Sequence, residues 1–162
     1  MIFVLSDTHV PERIKELPRK LVERIGPADL ILHAGDFVVW EVFRQLGSLA
    51  TVHAVRGNVD DAKLRRFLPE TKVVEVNGKR IGLCHGWGPR RGLPERVYKQ
   101  FGRGCDVLVF GHSHLPYNRR KGRTLMLNPG SLSGNASRYS GASYAVLTVE
   151  GDEVWAEIVE MT

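Results

Sequence analysis

The chain of 162 residues is predicted to fold as one α/β domain in which two mixed β-sheets pack face to face with helices outside. In its first half, apolar runs that end in polar residues alternate with segments of helical spacing, a pattern typical of βαβ units and a parallel sheet. In its second half most apolar runs are strand-like, and two of them are joined by Asn77-Gly78, a strong hairpin signal. No repeat or linker interrupts the sequence, so residues 1–162 are expected to form a single domain.

The predicted strands of the first half are IFVLS (2–6), LILHAG (30–35) and TVHAVRG (51–57). Three helices are predicted among them: residues 12–25, residues 39–46, and a short helix that follows GNVDD and runs through residue 67. Apolar residues of the first helix share one face, although Pro18 interrupts it. Gly47 is a stop signal for the second helix, an acidic N-cap begins the third, and Pro69 ends it.

The second half is predicted to be rich in β-structure. The segment TKVVEVNGKRIGLCHG (71–86) forms the hairpin, a helix follows from about Leu93 to Phe101, and DVLVFG (106–111) is a buried strand. Three more strands are expected at 123–131, 142–150 and 153–161, with a turn at Gly151-Asp152 between the last two.

Composition restricts the class of protein. The net charge is +5, with basic residues in short clusters at 88–92 and 118–123, which form either a solvated surface or a field that attracts a polyanionic substrate. No apolar run reaches the length of a membrane span, and the N-terminus has no basic region typical of a signal peptide. Cys84 and Cys105 are therefore expected to be reduced thiols in a cytoplasmic protein.

Side chains that can bind metal ions follow five of the predicted strands. In open α/β sheets, ligands bind beyond the carboxyl ends of the strands, where these residues lie. Each could instead cap a helix, form a turn or make an ordinary hydrogen bond, but their recurrence at five strand ends favours one metal site. His33 and His53 lie inside strands and are expected to be structural. The candidate ligands are Asp7, His9, Asp36, Asn58, His85, His112 and His114.

Seven ligands exceed the needs of one ion and fit two divalent cations that share a bridge, for which Asp36 is the central candidate. Nitrogen and oxygen ligands without thiolate favour transition metals, with Mn²⁺ as the first choice and Ni, Fe, Co or Zn as alternatives. Two such cations, two aspartates and a bridging hydroxide leave one positive charge. That charge favours an anionic substrate, and phosphate esters are the obvious class.

The ordered motifs SDTHV, HAGDF, RGNVDD, CHG and FGHSH resemble those of the calcineurin-like metallophosphoesterase superfamily. The short chain is most similar to the small YfcE-like phosphodiesterases, whose scaffold the retromer small subunit shares. The resemblance implies a metallophosphatase sandwich in which a hydroxide bridging two metals attacks phosphorus. It implies that Asp7, His9 and His114 bind one metal, that Asn58, His85 and His112 bind the other, and that Asp36 bridges them. Asp36, Asn58 and His85 are the expected catalytic residues.

Two positions depart from the larger branches of the superfamily. Val59 replaces the histidine thought to protonate the leaving group, and Val39 replaces its aspartate partner. Without a general acid, esters with good leaving groups should react best. Trp87 stands where relatives often have another histidine, and it could form a wall of the cleft or stack on a base.

Six further loop residues are expected to contact the substrate or to support the loops. Four arginines could reach substrate oxygens, namely Arg56, Arg90, Arg91 and Arg138. Asn128 and Ser131 match a family loop and are expected to be structural.

The sequence therefore predicts a metal-dependent phosphodiesterase that acts on a small phosphodiester. Two alternatives remain open. One is a protein-binding scaffold with a vestigial metal pocket, and the other is a nuclease, whose nucleic-acid substrate the basic loops could bind. No membrane partner is expected. By resemblance, the protein could form a homodimer or a homotetramer.

Overall fold

The computed structural model describes residues 1–27, 29–134 and 141–161. Its elements in chain order are β1 (Ile2–Leu5), α1 (Arg19–Arg24), β2 (Leu30–His33), α2 (Trp40–Leu49), β3 (Thr51–Ala54), α3 (Ala62–Phe67), β4 (Thr71–Val76), β5 (Lys79–Cys84), α4 (Leu93–Phe101), β6 (Val107–Val109), β7 (Tyr117–Lys121), β8 (Thr124–Asn128), β9 (Ala142–Glu150) and β10 (Glu153–Met161).

The first sheet has the strand order β10-β9-β1-β2-β3. Strands β1, β2 and β3 are parallel, with Ile2 opposite Leu30 and Leu30 opposite Thr51. Strands β9 and β10 add an antiparallel hairpin on the other side of β1. The carboxyl ends of β1, β2 and β3 consequently lie at one edge of this sheet.

The second sheet has the order β4-β5-β6-β8-β7. Strands β5, β6 and β8 are parallel, while β4 and β7 pair antiparallel at the two edges. The carboxyl ends of β5 and β6 therefore also lie side by side, at one end of the strands of this sheet. In each sheet the loops that follow the parallel strands are thus neighbours.

A buried apolar layer joins the two sheets. Val4 and Leu32 of the first sheet belong to the same core cluster as Leu83 and Val109 of the second. Helices α1, α2 and α3 cover the outer face of the first sheet, and α4 covers the outer face of the second through Leu93 and neighbouring residues. The predicted fold class, two packed mixed sheets flanked by helices, is confirmed.

Helix α1 is much shorter than predicted. It begins at Arg19, after Pro18 at its N-cap, whereas the sequence pattern predicted a start at Glu12. A proline inside a helix lacks the amide hydrogen that the ladder needs and clashes with the preceding turn, so the residues before Pro18 form turns and bends instead. The apolar residues of this segment still reach the core, with Leu17 buried.

Two further predictions were wrong at the level of single elements. Helix α2 passes through Gly47 and ends at Leu49, because an exposed glycine in a last turn lowers helix stability without preventing the helix. Strand β7 was missed, since its sequence YNRRK reads as a basic cluster. It forms because it pairs with the buried and mostly apolar strand β8, with Asn118 opposite Leu127.

No helix in the described part of the chain has the length and apolar character needed to cross a bilayer. Cys84 and Cys105 are both free thiols and both buried.

Candidate metal centre

The loops after β1, β2, β3, β5 and β6 bring all seven candidate ligands into one connected group of side chains. In the first part of the group, His114 Nε2 lies 3.0 Å from Asp7 Oδ1 and 3.3 Å from His9 Nε2. His9 Nε2 lies 3.7 Å from Asp7 Oδ1. These three buried residues place one ligand atom each within 4.8 Å of the others.

The second part of the group is built around His85. Its Nε2 lies 3.2 Å from Asp36 Oδ2 and 2.9 Å from Asn58 Oδ1. His112 Nδ1 lies 3.3 Å from the same Asn58 oxygen. Asp36 Oδ2 is also 3.7 Å from His9 Nε2, so the Asp36 carboxylate faces both parts of the group.

Five of the seven candidate ligands have left-handed backbone, with φ between 50° and 69°. Residues other than glycine rarely adopt this backbone conformation, because it is strained for them. Residues with strained backbone cluster at functional sites, where the surrounding structure enforces the conformation. Part of that enforcement is visible, because Asp7 N–H donates to Gly35 O and His9 N–H donates to Asp36 O. The five residues are Asp7, His9, Asp36, His112 and His114.

Two glycines allow the loops to approach the carboxylates. A Cβ on Gly57 would overlap Asp36 Oδ1, and a Cβ on Gly111 would overlap Ser6 Oγ and lie 2.6 Å from Asp7 Oδ2. The residues beside the candidate ligands therefore have to be glycine for steric reasons.

The surroundings of the Asp7 carboxylate indicate whether a cation fits among these side chains. Its Oδ2 accepts hydrogen bonds from Ser6 Oγ at 2.5 Å and from His112 N–H at 3.0 Å. Its Oδ1 is buried and makes no hydrogen bond of good geometry with the described residues, although His114 Nε2 lies 3.0 Å away. A buried anionic oxygen without a well-aligned donor is costly, and a coordinated cation would satisfy it. With imidazole nitrogens beside it, this oxygen suits a divalent transition metal.

Two histidines have their tautomers fixed by backbone carbonyls. His85 Nδ1 lies 2.7 Å from Ala34 O, and His112 Nε2 lies 2.9 Å from Gly88 O. A carbonyl can only accept, so each of these nitrogens carries a proton. His85 Nε2 and His112 Nδ1 are then the ring nitrogens left to bind a metal, and both face Asn58.

The electrostatics of the centre favour anionic carboxylates. Burial opposes ionisation of Asp7, but the imidazoles of His114 and His9 close to it hold the pKa of its carboxyl well below its usual range. Burial likewise opposes ionisation of Asp36, and contact with His85 outweighs it and lowers the Asp36 pKa. Burial disfavours protonation of His85, yet Asp36 and Asp7 raise its pKa to about 9. The two buried anions thus require cationic partners.

Two residues that the sequence analysis did not single out contact this centre. Buried Asp60 accepts hydrogen bonds from the amides of Gly57 at 2.7 Å, Val38 at 2.9 Å and Asp36 at 3.3 Å, and so ties the loop after β2 to the loop after β3. Its position at the end of the GNVD motif was the sequence feature that could have indicated this role. Arg13 Nη1 lies 3.1 Å from His114 Nδ1, and no spacing in the sequence indicated this contact.

The two histidines predicted to be structural lie outside the ligand group. Gly35 N–H donates to His33 Nδ1 at 3.1 Å, so His33 Nε2 carries the proton and donates to Thr8 Oγ1 at 2.8 Å. Burial lowers the pKa of His33 to about 3, which keeps the ring neutral. His53 is half-buried on β3.

Asn128 and Ser131 support the loops of the centre. Asn128 Nδ2 donates to Gly111 O at 2.8 Å, and Ser131 Oγ donates to Asp7 O at 2.9 Å. Neither residue 39 nor residue 59 offers a proton, because both are valine, and the Val59 amide donates to Asp36 Oδ1.

The predicted substrate arginines occupy different surroundings. Arg56 donates to Glu70 at 2.6 Å and to Arg65 O at 2.7 Å. Arg90 and Arg91 are exposed in the loop between β5 and α4. Arg138 lies outside the described residues.

Residues 1–152 match the sequence profile of the Calcineurin-like phosphoesterase superfamily domain. The chain belongs to this superfamily. Among curated relatives, a probable metallophosphoesterase of Methanothermobacter thermautotrophicus is 36% identical over an alignment of 163 positions, which covers 98% of this chain and 91% of that protein. The resemblance recognised in the sequence motifs is therefore confirmed, and the chain is a metallophosphoesterase homologue.

Two solved structures share the whole fold. A Thermotoga maritima protein studied by NMR is 35% identical with a TM-score of 0.76, covering 99% of this chain and 98% of that chain. Vps29 of Entamoeba histolytica, in a crystal structure complexed with Zn²⁺, is 29% identical with a TM-score of 0.75, covering 98% and 97%. The sandwich seen here is thus the scaffold of both proteins.

Proposed function

We propose that this calcineurin-like chain, as a single domain spanning residues 1–162, is a phosphodiesterase that depends on two divalent cations. Asp7, His9 and His114 would hold one ion, and Asn58, His85 and His112 would hold the other. Asp36 would contact both. Mn²⁺ is the first choice of metal for this nitrogen and oxygen ligand set, with Ni, Fe, Co or Zn as alternatives.

The observation that carries this proposal is the Asp7 Oδ1 atom, which is buried, makes no hydrogen bond of good geometry and lies 3.0 Å from His114 Nε2. A purely structural aspartate would have both oxygens satisfied, as Asp60 has through backbone amides. The orientations of His85 and His112 support the same conclusion, since backbone carbonyls engage one nitrogen of each ring and the other nitrogen faces the centre.

When bound, two divalent cations supply Lewis-acid polarisation of a phosphoryl oxygen and lower the pKa of the attacking water. The chain contributes orientation. Ala34 O and Gly88 O hold the rings of His85 and His112 in place. Asn58 Oδ1 faces these two rings, which leaves its Nδ2 to donate to a phosphoryl oxygen as negative charge develops.

The leaving group receives no proton from residues 39 and 59. General acid catalysis contributes typically 10²–10⁴-fold, so a chain without it favours substrates whose leaving group departs as a stable anion. Diesters of phenols meet this condition, and diesters of simple alcohols should react far more slowly.

Hydrolysis of bis-p-nitrophenyl phosphate tests the proposal. We expect the purified protein to release nitrophenolate with Mn²⁺, to lose activity with a chelator, and to lose at least 10²-fold in kcat as Asp36→Asn or His85→Ala. His53→Ala is the matched control, because His53 lies outside the centre, and its activity should stay near wild type. Turnover that survives the chelator, or that Asp36→Asn retains, would contradict the proposal.

A protein-binding scaffold is the second candidate, and one observation favours it. A Vps29 whose crystal structure is complexed with Zn²⁺ has the same fold at 29% identity. Metal binding alone therefore does not separate the two functions. Stoichiometric metal binding without turnover on any aryl phosphodiester would favour the scaffold.

A further inference from the structure

A cleft of about 370 Å³ opens directly beside the metal centre, with Asn58 and His85 in its wall. Its remaining walls come from residues with no role in holding a metal. The most prominent are Arg56, Glu70, Trp87 and Gln100. A phosphoryl group at Asn58 and His85 would place one of its two ester substituents next to this cleft.

Trp87 gives the cleft an aromatic wall. Its exposed fraction is 46%, which leaves a large apolar surface in contact with water. A planar group stacked on this surface would remove it from water, and stacking on aromatic side chains is tolerant of the identity of the ring.

The backbone that carries Trp87 is held by Arg96 of α4. Arg96 donates from Nε and Nη2 to Trp87 O at 3.1 and 2.7 Å, and from Nη1 to Arg91 O at 3.0 Å. The same loop presents Gly88 O to His112. Trp87 thus belongs to an ordered loop that hydrogen bonds hold against the centre. Little conformational entropy of this loop would therefore be lost when a ligand stacks on Trp87.

Hydrogen-bonding groups of both kinds face the cleft. The Arg56 guanidinium donates, and its ion pair with Glu70 at 2.6 Å keeps both groups in place while balancing their charge. Gln100 adds an amide that can donate and accept. A planar ring with polar edges would use these groups, whereas an alkyl group would leave them to water.

We propose that this cleft, the Trp87 cleft, binds a planar heterocyclic substituent of the phosphodiester, and that Trp87 is the residue that selects for it by stacking. A nucleobase is the chemical class that fits an aromatic wall combined with donors and acceptors. The inference rests on the proposed function, because it assumes a phosphodiester at the metal centre.

Two substrates with the same leaving group test the proposal: thymidine 5′-(p-nitrophenyl phosphate) and methyl p-nitrophenyl phosphate. Both release nitrophenolate, so their ratio of kcat/KM reports the nucleoside alone. We expect wild type to prefer the thymidine ester and Trp87→Ala to reduce the ratio about tenfold, mainly by raising KM for the thymidine ester. Trp87→Phe should keep most of the preference. Trp155→Ala is the matched control, because Trp155 on β10 has the same exposed fraction of 46% and does not line the cleft.

An unchanged ratio in Trp87→Ala, or an equal loss on both esters, would overturn the proposal and leave Trp87 as a wall only. If wild type hydrolyses neither ester, the proposed function fails, and calorimetry with thymidine 5′-monophosphate and methyl phosphate decides the question of the cleft. Tighter binding of the nucleotide that Trp87→Ala removes would support the cleft, and equal binding of both probes would overturn it.

Discussion

The Asp7 carboxylate divides its two oxygens between different tasks. Ser6 Oγ and the His112 amide hold Oδ2, which fixes the rotation of the carboxylate and ties the loop after β1 to the loop after β6. Oδ1 is then directed at His114 and His9. One side chain therefore assembles two loops and offers a ligand atom, and neither role can be read from the letters SDTH alone.

Arg13 is expected to weaken metal binding at the Asp7 side of the centre. A guanidinium can only donate, so its contact with His114 Nδ1 favours the tautomer with the proton on Nε2, the nitrogen that faces Asp7. Its positive charge also repels a cation. Arg13→Ala should bind Mn²⁺ about two- to fivefold more tightly by calorimetry, a factor in the range of one exposed charged contact.

Arg19→Ala is the matched control for this measurement, because Arg19 is an exposed arginine paired with Glu23. Its Mn²⁺ affinity should equal that of wild type. Weaker binding by Arg13→Ala would mean that Arg13 assists the site.

His33 should make the stability of the fold depend on pH. The folded pKa of about 3 lies below the ordinary value of 6.5, so the unfolded chain binds a proton between these values and the folded protein does not. The contribution of neutral His33 is complete above pH 6.5 and is lost as pH falls. Between pH 6.5 and pH 5 it removes about 2 kcal/mol from the free energy of unfolding.

Urea denaturation of wild type and His33→Asn at both pH values measures this effect. The variant should be less stable throughout, but its stability should fall less between pH 6.5 and pH 5. Equal pH dependence in the two proteins would contradict the assignment of His33 as a buried neutral ring.

At the scale of elements, Asp61 links two helices. Its Oδ1 accepts from Leu64 N–H at 2.8 Å and caps α3, and its Oδ2 accepts from Trp40 N–H at 3.0 Å in the first turn of α2. Asp61→Ala should lower the free energy of unfolding by about 1–2 kcal/mol, the upper part of the range for an N-cap. Asp61→Ser, which keeps one acceptor, should show an intermediate loss in the same denaturation series. No loss in either variant would show that water replaces the cap.

The elements differ in how well the sequence predicted them. Strands with apolar runs, the Asn77-Gly78 hairpin and the acidic cap of α3 were predictable, because local propensity and burial agree there. Helix α1 was predicted to be too long, because the apolar spacing continues across Pro18, whereas proline prevents a helix from continuing through that residue. Strand β7 has no apolar pattern of its own and depends on pairing with β8, which a single sequence does not reveal.

At the scale of the whole molecule, the inter-sheet core decides where the ligands meet. The seven candidate ligands predicted from the sequence do lie in one group of side chains, because polar residues followed the apolar strands. The sequence could not predict the left-handed backbone of five ligands, the clamp formed by Asp60 or the contact of Arg13, since each depends on loops from distant parts of the chain. The order of residues along the chain was sufficient to predict that these side chains meet, but it did not give the distances between them.

Binding of Mn²⁺ should stabilise the folded chain as a whole. A ligand that binds only the folded state at a hundredfold its Kd adds about 2.7 kcal/mol per site, which for a chain of 162 residues corresponds to a rise in Tm of about 5–10 °C. Thermal unfolding followed by circular dichroism with and without Mn²⁺ measures it. Asp36→Asn should show a much smaller rise, and His53→Ala the full rise. A Tm that does not respond to Mn²⁺ in wild type would argue against a metal centre.

The left-handed backbone of the five candidate ligands has a consequence for preparing this protein. Hydrogen bonds of the backbone, such as Asp7 N–H to Gly35 O, already hold the loops of the candidate ligands in shape, so we expect that the fold does not need an ion as a template. A stripped preparation should remain folded and should accept different metals in turn, unlike a zinc finger, which collapses when its metal is withdrawn. Exchange of one metal for another then becomes a simple dialysis.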